Sequence, residues 1–313
     1  GWLLRDSSGN YVTCNPWTDL YAVDIGNPQY QVWLGSFVSA YLAQHPSFAG
    51  VYLDDSMKCN AGIYDYLFNT RPVNPRTGTF FTDTEVQNGM AGVLNAVIDA
   101  VGTSKLVMPN GINRGVVWWN NPSADQYRYI LSQVPRLNCV SSENTFRAYD
   151  DQWYSESDWK MSVDFVAWLQ NNFLSVSPGR CFSAGCQTQT LPAGATAEQV
   201  MQYGFASMLL AINYGSPQNT IDFMLQDYAN YQSVLPFAQT LRNVDLISPL
   251  GAYYTIGSTS VYARDFTAGK VLVNPTNVAY TVSLTSGYKT ITGATLSGSV
   301  TINPHTGLIL LNT

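Results

Sequence analysis

Charge is what this sequence has least of. Of 313 residues only 15 are Lys or Arg and 21 are Asp or Glu, a share of 12%, about half that of an ordinary globular domain. The formal net charge is −6, the pI is near 4.8 and no basic cluster occurs, which argues against nucleic acid or an anionic membrane as a partner. Two His and five Cys, with no Cys-x-x-Cys or His-x-x-x-His spacing, leave no expected metal site and no expected cofactor. His45 follows a helical stretch and His305 lies near the C-terminus, neither beside a nucleophile, so Ser-His-Asp chemistry is excluded. No Gly-rich loop follows a strand, which disfavours nucleotide chemistry. No apolar run is long enough to span a bilayer, and no leader is visible. No Asn-x-Ser/Thr with a permitted middle residue occurs, so nothing supports a eukaryotic secretory route. The expectation is a secreted, extracellular bacterial protein whose signal is already gone.

With so few charges, the polar surface must rest on Asn, Gln, Ser, Thr and Tyr. Aromatic residues make up 13%, including 20 Tyr and 8 Trp. Such a surface suits neutral polar ligands such as carbohydrate, whose C–H faces stack on rings, although Tyr and Trp also fill cores. Among the cysteines, Cys181 and Cys186 could close a short loop and Cys14 could reach Cys59. Cys139 reads as a buried thiol, and each could equally be an unpaired small hydrophobe.

Ala49-Gly50-Val51-Tyr52-Leu53-Asp54-Asp55-Ser56 organises the rest. A short apolar run, the pattern of a buried parallel strand, stops at two adjacent carboxylates. In parallel α/β folds chemistry sits at the C-terminal strand ends. The plainer reading is a helix N-cap. Upstream, residues 1–18 read as a loop, and Asp19–Ile25 as a strand ending in Asp24. A helix then starts at Asn27-Pro28, with Tyr30, Trp33, Leu34, Phe37, Val38, Tyr41 and Leu42 at helical spacing. Strand, helix and strand make a right-handed parallel unit.

A polar excursion over residues 57–84 precedes a helix over Asp83–Val101 and a strand over Lys105–Asn110. A Trp-containing loop over Gly111–Asn121, a helix over 123–134 and a strand over Leu137–Glu143 come next. Helices are expected over 158–173, 197–210 and 233–244, and strands over Arg180–Ala184 and Ala211–Gly215. After Ile247-Ser248-Pro249-Leu250-Gly251 the pattern turns to period-2 strands, exemplified by Ser260–Arg264, Lys270–Val273, Tyr280–Leu284 and Leu308–Leu311. These predict a small antiparallel β-sandwich.

Strand ends near Asp24, Asp54, Asn110, Glu143, Ala184 and Tyr214 number six, whereas a closed (β/α)₈ barrel has eight. Three segments, Trp2–Asn10 (WLLRDSSGN), Asp24–Tyr30 (DIGNPQY) and Gly50–Asp55 (GVYLDD), resemble a glycoside-hydrolase-like TIM-barrel family. That family is related in layout to the endo-α-1,4-polygalactosaminidases and more remotely to the α-amylase and α-galactosidase barrels. The tail, Gly269–Pro275 and Pro304–Leu311, is similar to the β-sandwich that follows such barrels. The resemblance implies that the strand at Asp24 is the third of a barrel, that Asp54 closes the fourth and that Glu143 closes the sixth. The expected fold is therefore an α/β TIM-type barrel over residues 1–247 that lacks its first two strands, followed by a β-sandwich over 250–313.

Most glycosidases set two carboxyl groups across one scissile bond. Asp54 and Glu143, on strand ends two apart in the inferred order, would share one mouth. The resemblance carries over Asp54 as nucleophile or base and Glu143 as general acid/base. Asp55 is the alternative to Asp54, because adjacent strand residues face opposite sides. The setting Val140-Ser141-Ser142-Glu143-Asn144 departs from the doubled acidic residues common in relatives, and a turn cap is the plainer reading of Glu143. Asp24 and Asn110 are candidate hydroxyl-binding groups. Trp17, Trp118, Trp119, Trp153 and Tyr214 are candidate stacking platforms. Arg114 and Arg147 could read an acidic sugar, or pair with Asp150 and Asp151. The expected activity is a retaining glycosidase acting on a polysaccharide or oligosaccharide. The alternative is a catalytically inactive carbohydrate-binding or surface structural module.

Overall fold

The computed structural model describes residues 1–15, 17–57, 60–112, 115–120, 125–148, 151–213, 220–226 and 231–313. In chain order the elements begin α1 (Pro28–Gln44), β1 (Gly50–Leu53), α2 (Gly62–Phe68), α3 (Asp83–Val101), β2 (Leu106–Pro109), α4 (Gly115–Asn120) and α5 (Asp125–Gln133). They continue with β3 (Cys139–Ser142), α6 (Glu156–Asn172), β4 (Cys181–Gln187), α7 (Ala197–Ala211), β5 (Thr220–Gln226) and α8 (Tyr231–Arg242). The C-terminal strands are β6 (Tyr254–Thr255), β7 (Tyr262–Phe266), β8 (Gly269–Asn274), β9 (Tyr280–Ser283), β10 (Tyr288–Thr290), β11 (Thr295–Leu296), β12 (Ser299–Ile302) and β13 (Thr306–Asn312). The chain divides into two compact units, one of Gly1–Asn113 and Pro122–Ser141, the other of Arg114–Asn121 and Ser142–Thr313.

In the first unit, Asn27 caps α1 by accepting from the Gln29 and Tyr30 amides, with Pro28 in the first turn. Gly35, Val38 and Leu42 are the buried residues of α1. A Cβ at Gly35 would meet the Ala96 carbonyl oxygen at 2.6 Å, so glycine lets α1 lie directly on α3. The apolar pattern of α1 is nevertheless two stripes rather than one. Trp33, Phe37 and Tyr41 remain 46%, 53% and 46% exposed. At i, i+4 spacing their rings stack on one another, Trp33 on Phe37 at 5.6 Å and Phe37 on Tyr41 at 6.5 Å, in the manner of neighbours on a helix surface. The start of α3 is fixed by a capping box, Thr82 with Glu85, and Val86, Leu94, Val97 and Ile98 give it a buried stripe.

β1 and β2 pair in parallel from Gly50↔Leu106 to Leu53↔Pro109. A parallel bridge from Asn110 to Ser141 sets the end of β3 beside β2. The Asn138 side chain braces the same edge, donating to the Lys105 carbonyl and accepting from the Val107 amide.

The strand expected over Asp19–Ile25 does not form, and neither does the parallel unit built on it. That segment instead makes antiparallel bridges within the N-terminus, Leu3↔Val23 and Thr13↔Tyr21. The cause lies in the loop before it. Asp6 accepts the Ser8 and Asn10 amides and Gly9 takes φ +84°, so the chain doubles back at Arg5↔Tyr11. An adjacent antiparallel partner captures the segment before a distant parallel one can. Two shorter helices were also missed, α2 inside the polar excursion and α4 inside the Trp loop.

In the second unit, β4 and β5 pair in parallel from Cys181↔Thr220 to Gln187↔Gln226. The strand expected over 211–215 does not start at Ala211, which ends α7. Residues 214–219 lie outside the described residues, and the strand of this region is β5. α7 is buried along nearly its whole length, and a Cβ at Gly307 of β13 would come within 2.6 Å of the Ala206 Cβ. The C-terminal strands form a six-stranded antiparallel sheet, β11-β10-β13-β8-β7-β6, and a pair, β12-β9. Val261, Ala263, Leu272, Val282, Tyr288, Ile302 and Leu310 make their shared core.

The fold is thus mixed α/β with antiparallel sheets at its C-terminus. Among the described residues, five strands precede those sheets, and they do not amount to a complete barrel. The cysteines pair differently from expectation. Cys139 and Cys181 are each half of a disulfide, whereas Cys14 and Cys186 are buried free thiols. Cys139 is therefore no lone thiol, Cys181 and Cys186 close no loop, and Cys14 does not take up Cys59, which itself lies outside the described residues.

Candidate functional site

The apolar strand β1 delivers Asp54 to the surface at its C-terminal end. Gly50 is required there, because a Cβ would sit 2.0 Å from the Leu106 carbonyl oxygen across the strand pair. Past Leu53 the chain turns tightly. Ser56 Oγ donates to the Leu53 carbonyl at 2.6 Å, and the Met57 amide donates to the Asn110 carbonyl at 2.9 Å. Asp55 enters the left-handed region at φ +47°, a conformation Asp tolerates better than most residues. The expectation that Asp54 and Asp55 alternate along a strand is therefore replaced by a turn, in which the Asp55 amide folds back to donate to Asp54 Oδ1 at 2.9 Å.

Asn110 supplies the second donor. It follows β2 directly, is buried, and its Nδ2 donates to Asp54 Oδ1 at 2.7 Å. Ser141 Oγ donates to Asn110 Oδ1 at 3.3 Å, which fixes the amide orientation. Asp54 thus has one oxygen pinned by two donors, and no described residue donates to Oδ2. Its carboxylate is exposed. Asn110 is not the rim residue that the sequence suggested; it holds Asp54.

Asp24 is placed differently. It is buried, with Oδ2 in an ion pair with Arg76 and Oδ1 accepting the Gly26 amide at 3.1 Å. Both oxygens are engaged inside the unit. Burial and the Asp24 charge push the nearby Tyr64 hydroxyl far above its ordinary value, so it stays protonated.

In the second unit, Glu143 follows β3 and is half-buried. The Gln187 amide, at the end of β4, lies 3.4 Å from Glu143 Oε2. Asn144, fully buried at φ +44°, orients Gln187. Its Oδ1 accepts the Gln187 backbone amide at 2.7 Å and its Nδ2 donates to Gln187 Oε1 at 3.2 Å. Arg147 is fully buried and spends its donors on the Gln187, Ala148 and Thr190 carbonyls, which leaves no exposed guanidinium to read an acidic sugar. Burial pushes the neighbouring Cys186 thiol up to about 12, so it is not a nucleophile at neutral pH. Asp54 and Glu143 fall in different units.

Of the ring candidates, Trp118 is core, packed against Phe165 and Trp168 at 5.0 and 4.7 Å. Trp153 lies flat on His305 at 4.7 Å. Trp17 and Trp119 are 59% and 41% exposed, the Trp119 indole N–H donating to the Met161 carbonyl at 3.2 Å. Tyr214, Arg114 and Asp150 lie outside the described residues. Sequence reasoning missed Arg76, which had no local signal 52 residues from Asp24. It also missed Gln187, whose polar side chain ending an apolar strand was a signal. Among the described residues no group of three or more His, Cys, Asp or Glu is placed to hold a metal ion, and no helix is long and apolar enough to cross a membrane.

No family model matches this sequence, and no curated protein does. Solved structures similar to it include a Family GH13_31 enzyme, 14% identical with a TM-score of 0.47, covering 94% of this chain and 69% of that one. Another is Ttha1563 from Thermus thermophilus, 10% identical with a TM-score of 0.47, covering 99% of this chain and 66% of that one. Likenesses at this level leave the activity to be argued from the residues.

Proposed function

We propose that this chain is a secreted glycoside hydrolase of TIM-barrel type, acting on a polysaccharide or oligosaccharide through Asp54 and Glu143. The observation that carries the reading is the Asp54 carboxylate, exposed at a strand end with Oδ1 held by Asn110 and the Asp55 amide and with no donor to Oδ2 among the described residues. A carboxylate so held presents one fixed oxygen to an incoming electrophile and loses little freedom in reacting. In the retaining scheme Asp54 attacks the anomeric carbon while Glu143 gives its proton to the departing glycosidic oxygen. Glu143 then takes a proton from water, which displaces Asp54 and regenerates both groups.

The test is reducing-end release from a panel that includes starch and α-1,4-linked polygalactosamine, with NMR of the first-formed anomer. Wild type should release sugar with retained configuration, and Asp54→Asn and Glu143→Gln should each lower the rate about 10³-fold. A second reading, carbohydrate binding without catalysis, is favoured by the setting Val140-Ser141-Ser142-Glu143-Asn144, in which Glu143 is the single acidic residue. Glycan binding with no release from any substrate, unaffected by the two substitutions, would establish it instead.

A further inference from the structure

A cleft of about 590 Å³ opens in the second unit, far along the chain from either carboxylate. The last turns of α6 and α7 and the segment from Ser248 to Tyr253 wall it, with Arg264 of β7 at its back. Its volume lies in the range of small-molecule sites.

The cleft is rigid because its cation is committed. Arg264 is buried, and its guanidinium donates to the Leu209, Leu210 and Ile212 carbonyls that end α7, to the Gly251 carbonyl, and to Asn213 Oδ1. These bonds cap the C-terminus of α7 and tie the 248–253 segment to it. They also decide which way two side-chain amides face. Asn213 must turn its oxygen to the guanidinium, so its NH₂ group points away. Gln170 Oε1 accepts the Asn213 backbone amide at 2.6 Å, so its NH₂ is likewise a donor, and no described residue accepts from it. Two oriented amide donors and the Ser248 hydroxyl therefore line one cleft, beside the Tyr253 ring. That ring is fixed by donating its hydroxyl to Asp164 at 2.6 Å. Ala167, Ala252 and Leu210 supply apolar floor. Among the described lining residues there is one charged side chain, Arg264, and no carboxylate.

Oriented amide donors, an aromatic wall, small apolar residues and a described lining without carboxylates together fit a ligand with a C–H face and acceptor oxygens. We infer that this cleft is a binding site for saccharides, separate from Asp54, that prefers uronic acid units and rejects amino sugars. It stands whether or not Asp54 is catalytic.

Saturation-transfer NMR and titration of the intact chain with glucuronate, glucose and glucosamine at pH 7 test it. Glucuronate should bind about tenfold more tightly than glucose, as one charge-assisted hydrogen bond implies, and the glucosamine ammonium should not bind. Ala252→Trp, which fills the cleft from an exposed position, should abolish binding, and Gln170→Leu should weaken it about tenfold. Asp54→Asn should leave it unchanged. Binding of none of the three sugars, equal binding of all three, survival in a folded Ala252→Trp protein, or loss in Asp54→Asn would overturn the inference.

Discussion

The corners around Asp24 and Asp54 read alike in sequence and fold oppositely. Each is an apolar run that ends in Asp just before turn-forming residues. At the first, the side chain turns inward to Arg76 and the Gly26 amide. At the second, it turns outward, with one oxygen steadied by an amide. The difference is set by what lies beside each segment. Asp24 belongs to an antiparallel N-terminal hairpin within reach of a cation from the excursion, and the desolvated carboxylate requires that charge. Asp54 ends a parallel strand whose neighbour β2 delivers an uncharged Asn110. A neutral donor orients a carboxylate and leaves its charge for use. A cation consumes it.

The sharpest way to break this comparison is to remove the charge at each corner. Asp54→Asn should cost about 10³-fold in glycan hydrolysis while stability, read by urea denaturation, moves within about 0.5 kcal/mol. Arg76→Met should do the reverse, leaving Asp24 buried without its cation. Truncating one partner of a fully buried pair costs about 3–5 kcal/mol. Because the Arg76 side chain is 43% exposed, solvent offsets part of that, and about 2–3 kcal/mol is expected. Full activity per folded molecule should remain. If Arg76→Met lowers the rate with stability intact, Asp24 belongs to the reacting site and the contrast fails.

Asn110 tests the other side. Asn110→Ala removes one of two donors to Asp54 Oδ1, so kcat should fall about tenfold with KM nearly constant. A fall in stability with kcat unchanged would reduce Asn110 to a packing residue.

How much of this was legible follows the same division. Asn27-Pro28, the Thr82–Glu85 box, the Gly50–Leu53 run and the period-2 tail are local signals, and each gave its element within a few residues. Asp54 at a strand end was legible for the same reason. What decided the rest was contact at a distance. Arg76 is 52 positions from Asp24 and Ser141 is 31 from Asn110, and no periodicity announces either. Trp118 and Trp119 are adjacent candidate platforms in one stretch, and the sequence does not say which of them packs and which stays exposed. A six-residue helix packed on α6 buried one indole and left the other out. On α1 helical spacing by itself cannot distinguish a core stripe from rings stacked on one another in solvent.

Glu85 offers a third carboxylate in the same unit, between the two extremes. It is held mainly by hydrogen bonds, with the Arg76 charge a smaller contributor: the Thr82 amide donates to Oε2 at 2.8 Å, the Thr82 hydroxyl to the same oxygen at 3.0 Å, and Asn74 Nδ2 to Oε1 at 2.7 Å. The Thr82 backbone bond is the main reason its carboxyl sits below the ordinary 4.5. Since the folded value is depressed, the unfolded chain binds the proton first on acidification. The stabilisation is therefore complete above about 4.5 and is lost as the pH falls from there through the folded value. Glu85→Gln should cost about 1 kcal/mol at pH 7, the usual worth of a helix cap, and the gap from wild type should close as the pH falls from about 4.5 through the folded value. Thr82→Ala should close only part of its gap, because the Glu85 amide also donates to the Thr82 hydroxyl oxygen at 3.3 Å whatever the state of the carboxyl. A gap independent of pH would mean that Glu85 contributes by packing rather than by charge, and the gradation from Asp24 through Glu85 to Asp54 would lose its middle term.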